Sequence, residues 1–561
     1  MSRTAVIASA LLLVLVVVIA YTPAIRADFV WDDNEHVVAD ELLAADDGLF
    51  RIWLKPDHSV WNYWPLSRST FWIERRIWGV NATVSHSINI LLHAAAAVIL
   101  FLGARRFALP SPWLIGGLFA LHPIFVESTA WVTERTNALS AIFYLLSIWC
   151  YLAFEGNRRW RCYGLSLFLF LLALLGKSST IMLPVILIIA KLAQRRPFEK
   201  RDLVQLAPFF LLSLLAAGGA IWFEEHVIGS SGPLFSRSLA EKFVVAGRIP
   251  FFYLLKILFP HPMIFMYPRW EMNGRIPLEF LPAIALVAIS VFLLRHYSTW
   301  GRLPLLALGA FLVTLFPVLG FFDVYGMRYT FVADHWAYLP ALPILVFLGG
   351  SLGTALKDHK FLRRLSGGTI LVICGVLSWQ HAHAFKSLEI LWRDTLAKNP
   401  SCWLAHNNLG SKLYLQEDTT EAIAHYQESL RLNPNYEVAH YNLGVALADQ
   451  GRFPEAIQHY SAALLVAPNY VLAHFNLANA LLAHAELDQA IAHYEATLQI
   501  DPSYATAHNN LGIIQLQKGD RSPAIRHFRK ALQINPDYID ALNNLRVTLQ
   551  NPERVYIKPS R

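Results

Sequence analysis

NPNYEVAHYNLG, residues 433–444, returns every 34 residues as NPSCWLAHNNLG (399–410), APNYVLAHFNLA (467–478), DPSYATAHNNLG (501–512) and NPDYIDALNNLR (535–546). Pro400, Pro434, Pro468, Pro502 and Pro536 punctuate the series. Between them recur Ala422, Ala456, Ala490 and Ala524, followed by Tyr426, Tyr460, Tyr494 and Phe528. A unit of this length holds two helices and a turn. It cannot bury its apolar face alone, so copies must stack into a solenoid with a concave face.

Small residues at the close helix contact, Ala on the second helix and Pro at the turn form the tetratricopeptide pattern. The spacing predicts repeats at 403–436, 437–470, 471–504 and 505–538, a partial unit at 539–550 and a tail at 551–561. Two histidine ladders keep the same period: His406, His440, His474 and His508, then His425, His459, His493 and His527. Equivalent positions of stacked repeats stand too far apart to share an ion, so these read as packing residues. Asn408, Asn442, Asn476, Asn510 and Asn544 form a third ladder on the first helices. An Asn amide donates and accepts, so it can pair with any peptide backbone. The ladder resembles that of the repeat domain of the soluble O-GlcNAc transferase, which implies acceptor-polypeptide binding by these five residues.

Upstream of about residue 386 the composition changes. The 561-residue chain is 55% hydrophobic, 13% aromatic and only 16% charged, with a mean hydropathy of +0.39. That excludes an ordinary soluble protein. Apolar runs predict about eleven spans, near 5–23, 84–104, 112–131, 137–154, 161–176, 178–194, 203–222, 277–294, 303–320, 335–355 and 367–385. The first is expected to be a retained helix rather than a cleaved signal. Arg105 and Arg106, Arg158 to Arg161, Arg195 to Arg201, Arg295 and Arg302, and Lys357 to Arg364 fall in alternate short loops. By the positive-inside rule those loops are inner, which puts the N-terminus inside and the repeats outside. The +7 net charge is thus topological and gives no reason to expect nucleic acid. GRIPFFYLLKILFPHPMIF (247–265) is apolar but carries Arg248 and Lys256, and reads as an interfacial helix within an outer loop at 223–276. Cys150, Cys162, Cys374 and Cys402 show no metal or disulfide spacing. The expected architecture is all-α: a polytopic membrane domain (1–385), a connector (386–402) and the repeat solenoid.

The first span is followed by an acidic outer loop (25–83) beginning DFVWDDNEHVV (28–38). Beyond it come WPLSRSTFWIERRIWG (64–79), SHSINILLH (85–93), FALHPIFVESTAWVTERTNALS (119–140), GKSS (176–179) and ADHWAYLP (333–340). In this order, with the appended repeats, the chain resembles the lipid-linked-sugar glycosyltransferases of the GT-C fold. The likeness is particularly to the protein O-mannosyltransferases and their tetratricopeptide-bearing transmembrane members. That resemblance implies an Asp–Glu pair in the first outer loop; here the matching pair is Asp32–Asp33.

A polyprenyl-phosphate sugar keeps its reactive C1 at the membrane surface. A Ser or Thr hydroxyl attacking C1 needs a base in hydrogen-bond reach, worth ~10²–10⁴ in rate, and the oxocarbenium-like transition state favours nearby anions. Asp32 is expected to be the base, with Asp33 orienting it or binding the sugar. The phosphate leaving group calls for cations on the same side: Arg135 and Lys177 first, then Arg328 and His335. Glu127 and Glu134 could pair with these or bind sugar hydroxyls. No protein-bound cofactor is implied, and membrane lipid is a partner by construction. A divalent ion on Asp32, Asp33 and Glu127 is left open by spacing alone.

Three other readings remain. An anchored scaffold without catalysis needs one span rather than eleven. A transporter would show two related halves with interrupted helices. An acceptor that is an envelope glycan or lipid would leave the repeats to dock a partner protein. Short outer loops suggest a bacterial inner membrane with periplasmic repeats, or a lumenal equivalent.

Overall fold

The structure is a computed structural model that describes residues 2–54, 63–229 and 237–550. The expected tail, and short parts of the two expected outer loops, lie outside the described residues. Among the described residues every regular element is helical. Contacts divide the chain into two compact units, 1–399 and 400–561.

In the first unit, seven helices are long and apolar enough to cross a membrane: Arg3–Ala20, Ala82–Arg106, Val132–Asn157, Lys200–Ile228, Pro277–Arg295, Tyr297–Val318 and Lys360–Phe385. Lys200–Ile228 and Pro277–Arg295 bury only 11% and 6% of their apolar windows against the protein. They turn Leu211, Leu214, Ile284 and Val287 outward, as a lipid-facing helix does. The other four expected spans are shorter or broken. Pro112–Leu121 and Pro123–Ala130 meet at a 51° bend. The cause is local: Pro123 cannot donate to the helix, and the preceding His122 adopts an extended conformation with ψ 131°. Its ring caps the next turn by accepting from the Ile124 N–H at 3.2 Å. Trp160–Gly176, Ser178–Ala193 and Ala341–Ala355 are apolar but shorter, because Lys177 and the Asp334–His335 pair interrupt them with 3-10 turns.

Leu239–Leu258, 20 residues long, is long enough for a span but too charged to be one. It carries Glu241, Lys242, Arg248 and Lys256, and buries Val244, Val245, Ile249 and Tyr253. The expected connector is not a linker. Leu388–Lys398 is a helix packed onto the first unit, with Trp392 fully buried against Trp31 and Phe265 at ring distances of 5.0 and 5.5 Å.

The second unit alternates first and second helices through four repeats, from Trp403–Leu415 and Thr419–Leu432 to Ala505–Gln517 and Arg521–Ile534, and ends on Ile539–Gln550. Its period follows from close approach. A Cβ on Gly410, Gly444 or Gly512 would come within 2.9, 2.7 and 2.6 Å of the ring of Tyr426, Tyr460 or Phe528. Glycine there lets each aromatic lie flush on the first helix.

Candidate active site

The broken span supplies the scaffold. After Ala130 the chain turns through Trp131 and a 3-10 turn at Val132–Glu134, then enters the helix Arg135–Asn157. Two glutamates, Glu127 and Glu134, are thereby held on either side of a non-helical corner.

Asp33 locks the first loop to this corner. One carboxylate oxygen accepts from the Thr133 N–H at 2.7 Å and the Thr133 hydroxyl at 2.5 Å; the other accepts from the Val30 N–H at 3.0 Å. It is fully buried. Burial lifts its carboxyl to about 6, against the pull of those hydrogen bonds. A buried carboxylate with three donors holds the loop in place.

Asp32 is left half-buried on the turn. The turn is strained: Trp31 has φ 51°, a left-handed conformation rare for a bulky residue. Trp31 is held there by edge-on packing against Trp392 and Phe265. Burial, then the like charges of Asp33, Glu35 and Glu134, push the Asp32 carboxyl well above the ordinary carboxylate range, opposed by a hydrogen bond from the Trp31 side chain. A carboxylate of raised basicity is suited to proton abstraction.

Glu134, whose charge Asp32 feels, holds the cations. Its Oε2 accepts from Lys177 Nζ at 2.8 Å and from Asn137 Nδ2 at 2.6 Å. His335 bridges the two glutamates: Nδ1 donates to Glu127 Oε1 at 2.7 Å, its backbone N–H to Glu127 Oε2 at 3.2 Å, and Nε2 faces Glu134 Oε1 at 3.9 Å. Trp131 packs edge-on against the His335 ring, and Lys177 sits 5.6 Å over the Trp64 ring. The structure therefore brings Glu127, Glu134, Lys177 and His335 into one network, and Asp32 lies close enough to feel the charge of Glu134.

Arg135 has to be reassigned. It is 0% exposed and pairs with Glu74 at 2.7 Å; its Nε donates to Asn89 at 2.7 Å and its other nitrogens to Thr70 and the Ser85 carbonyl, while the guanidinium stacks 4.0 Å over Phe71. These partners tie the loop helix Pro65–Trp78 to the span Ala82–Arg106, so Arg135 is a structural cation rather than a phosphate ligand. Arg328 stacks on Tyr325 and Tyr329 and donates to the Tyr325 hydroxyl at 3.0 Å.

Asp334 escaped the sequence reading, although it stands beside His335 in the quoted ADHWAYLP. It is buried, accepts from the Tyr267 hydroxyl at 3.0 Å, and leaves its second oxygen without a hydrogen bond. Burial, then Glu127, holds its carboxyl well above the ordinary range. Among the described residues no group of three or more His, Cys, Asp or Glu side chains is placed to hold a metal ion. Asp33 and Glu127, two of the three proposed ligands, are occupied by Thr133 and His335.

The asparagine ladder makes contacts between repeats. Asn442 donates to Asn407 (3.0 Å) and Ser411 (3.2 Å), Asn476 to the Tyr441 hydroxyl (2.9 Å), Asn510 to Asn479 (3.1 Å) and Asn544 to Asn509 (2.8 Å). Each partner belongs to the preceding repeat. Asn510 and Asn544 are buried, and Asn408, in the first repeat, accepts from its neighbour Asn407. From Asn442 onward the ladder laces repeat to repeat, because a half-buried amide takes the nearest donor–acceptor pair, whereas the Asn408 amide nitrogen has no hydrogen-bond partner among the described residues.

Comparison with known proteins agrees with both units. Models of the tetratricopeptide repeat match residues 410–451, 438–470, 486–519 and 505–538. Human protein O-mannosyl-transferase TMTC4 is 27% identical over 487 residues, covering 73% of this chain and 64% of its own length. The mouse protein of the same name is 28% identical over 71% of this chain and 63% of its own. The chain resembles the tetratricopeptide-bearing O-mannosyltransferases. It spans less than two thirds of these relatives' length. Fruit-fly protein O-mannosyl-transferase Tmtc1 matches a smaller part, 30% identical over 29% of this chain and 20% of its own. Among solved structures, a crystal structure of MamA is 24% identical over 27% of this chain and 89% of its own, with a TM-score of 0.26, at which the likeness carries no argument.

Proposed function

We propose that the chain is an integral-membrane inverting glycosyltransferase that moves a sugar from a polyprenyl phosphate to Ser or Thr hydroxyls of polypeptides on the outer face of the membrane. The reading is supported by the relatives' names and carried by one observation: the Glu134–Lys177 pair, bridged by His335 to Glu127, at the corner to which Asp33 locks the turn bearing Asp32. In this mechanism Asp32 takes the proton of the acceptor hydroxyl as oxygen attacks C1, while the bond from C1 to the phosphate oxygen breaks. Lys177 offers a point charge to the departing phosphate, and Glu134 holds that ammonium in place until the anion arrives. His335, oriented by Glu127, stands beside it as a second donor. Asp33 keeps Asp32 on the corner.

The repeats, as tetratricopeptide arrays do, present a surface for polypeptide, here the acceptor or a partner protein. Purified full-length protein with polyprenyl-phosphate mannose and a Ser/Thr-rich peptide tests the reading. Asp32→Asn is expected to cut transfer by ~10²–10⁴ with the fold intact, and Lys177→Met to slow it at unchanged peptide KM. Transfer at the parental rate by Asp32→Asn would remove Asp32 as base.

A further inference from the structure

The two histidine ladders pair with each other inside every repeat. His406 and His425 bring their Nδ1 atoms to 2.9 Å, His440 and His459 to 3.0 Å, His474 and His493 to 3.0 Å, and His508 and His527 to 3.2 Å. In each case one ring comes from the first helix and the other, 19 residues on, from the second. The meeting follows from the close helix contact: the second-helix histidine immediately precedes the Tyr or Phe that packs on the first helix.

The tautomer of the first ring is fixed by its other nitrogen. Nε2 of His406, His440 and His474 lies 3.2, 3.0 and 3.0 Å from the carbonyl oxygen of Pro400, Pro434 and Pro468. A carbonyl only accepts, so Nε2 carries the hydrogen and Nδ1 presents a lone pair to its partner. A ring that donates one nitrogen to a backbone carbonyl and offers the other as a lone pair is the arrangement protein metal sites use to orient a histidine ligand.

The geometry points to four equivalent two-histidine sites for a tetragonal divalent cation, Cu(II) or Ni(II), one in each repeat. With metal–nitrogen bonds of about 2.05 Å, cis ligands at 90° stand about 2.9 Å apart, and tetrahedral ligands about 3.3 Å apart. The first three separations, 2.9, 3.0 and 3.0 Å, lie nearer the first value, which favours Cu(II) and Ni(II) over Zn(II) there, and His508–His527 at 3.2 Å lies nearer the second. Binding requires the second ring to move its hydrogen from Nδ1 to Nε2. No net proton is released, and Nδ1 of both rings then binds the cation. In the first repeat Glu421 Oε1, 3.7 Å from His425 Nε2, is near enough to favour that tautomer. All eight rings are half-buried, so water or another ligand can complete the coordination. The inference does not rest on the transferase reading.

Titrating purified full-length protein with Cu(II), with glycine as a weak competitor, tests it. Four equivalents are expected, each with an electron paramagnetic resonance signal of two imidazole nitrogens. His474→Gln should remove one equivalent and leave the other three. H406Q/H440Q/H474Q/H508Q should remove four. Uptake unchanged by the quadruple substitution would show adventitious binding at other histidines and overturn the sites. If the quadruple variant loses its helical circular dichroism, the four single variants decide: any that keeps full uptake eliminates its pair. Mannosyl transfer measured alongside reports on the separate catalytic proposal.

Discussion

The two units bury polar groups in opposite ways. The membrane unit encloses charge: Arg135 with Glu74, Lys177 with Glu134, and Lys191 between Glu155 and Asp202 at 3.0 and 2.5 Å. The repeat unit encloses neutral groups (Asn amides, imidazole pairs, Ser429 and Thr497 hydroxyls) and leaves its ion pairs on the surface. The difference teaches where each unit stores its specificity. A stacked array needs the same modest contact many times over. A unique bundle needs a few expensive ones, each strongly destabilising when halved.

The comparison is broken most directly at Arg135. Arg135→Met leaves Glu74 charged, buried and unpaired, at a cost of about 3–5 kcal/mol. Thermal unfolding in detergent should show a large fall, mostly restored when Glu74→Leu is added. Failure of the second substitution to restore stability would mean the pair is not the cause.

Asp33 gives a pH signature to the same unit. Burial raises its folded pKa from 3.8 to about 6, so the folded chain binds this proton more tightly than the unfolded one. Its contribution is complete below 3.8 and is lost as pH rises through 6, a difference of about 3 kcal/mol. The parental Tm should therefore fall more steeply between pH 4 and 7 than that of Asp33→Asn; equal slopes would remove the claim.

In the repeat unit, Gly444→Ala puts a Cβ 2.7 Å from the Tyr460 ring and is expected to cost about 1–3 kcal/mol by overpacking. Replacing Tyr460 by Leu in the same chain should recover part of that loss. The smallest effect belongs to the surface: Arg452→Ala breaks an exposed pair with Glu455 at 2.6 Å and should leave the Tm unmoved. A measurable drop there would erase the contrast between the units.

The repeat unit was legible because its information is periodic. Pro, Gly or Ala, and Tyr at fixed offsets each state a local requirement, and 34-residue recurrence multiplies the signal. What periodicity did not reveal was direction: Asn442 could face a groove or the preceding repeat, and only packing shows Asn407 and Ser411 beside it. The same ambiguity hid the His440–His459 pair, since the 19-residue offset within a repeat becomes meaningful only when the two helices are folded together. In the membrane unit, apolar runs marked the helices, but 112–131 read as one span and only the structure shows its bend at Pro123. Partners were beyond reach. Nothing near Arg135 in sequence identifies Glu74, 61 positions away, and Asp33 gives no hint of Thr133.

The sequence by itself determined that this protein is helical throughout its two dissimilar parts, one apolar and one repetitive, because helix periodicity, span length and repeat spacing are local properties of the chain. It also fixed which residue types lie at the first acidic loop and the broken span. Tertiary structure alone decided which of those charges are free to act. Asp33 and Arg135 are consumed by donors and a carboxylate brought from distant segments, whereas Lys177 and His335 are gathered around Glu134, since burial and charge pairing depend on distances through space that residue order does not encode.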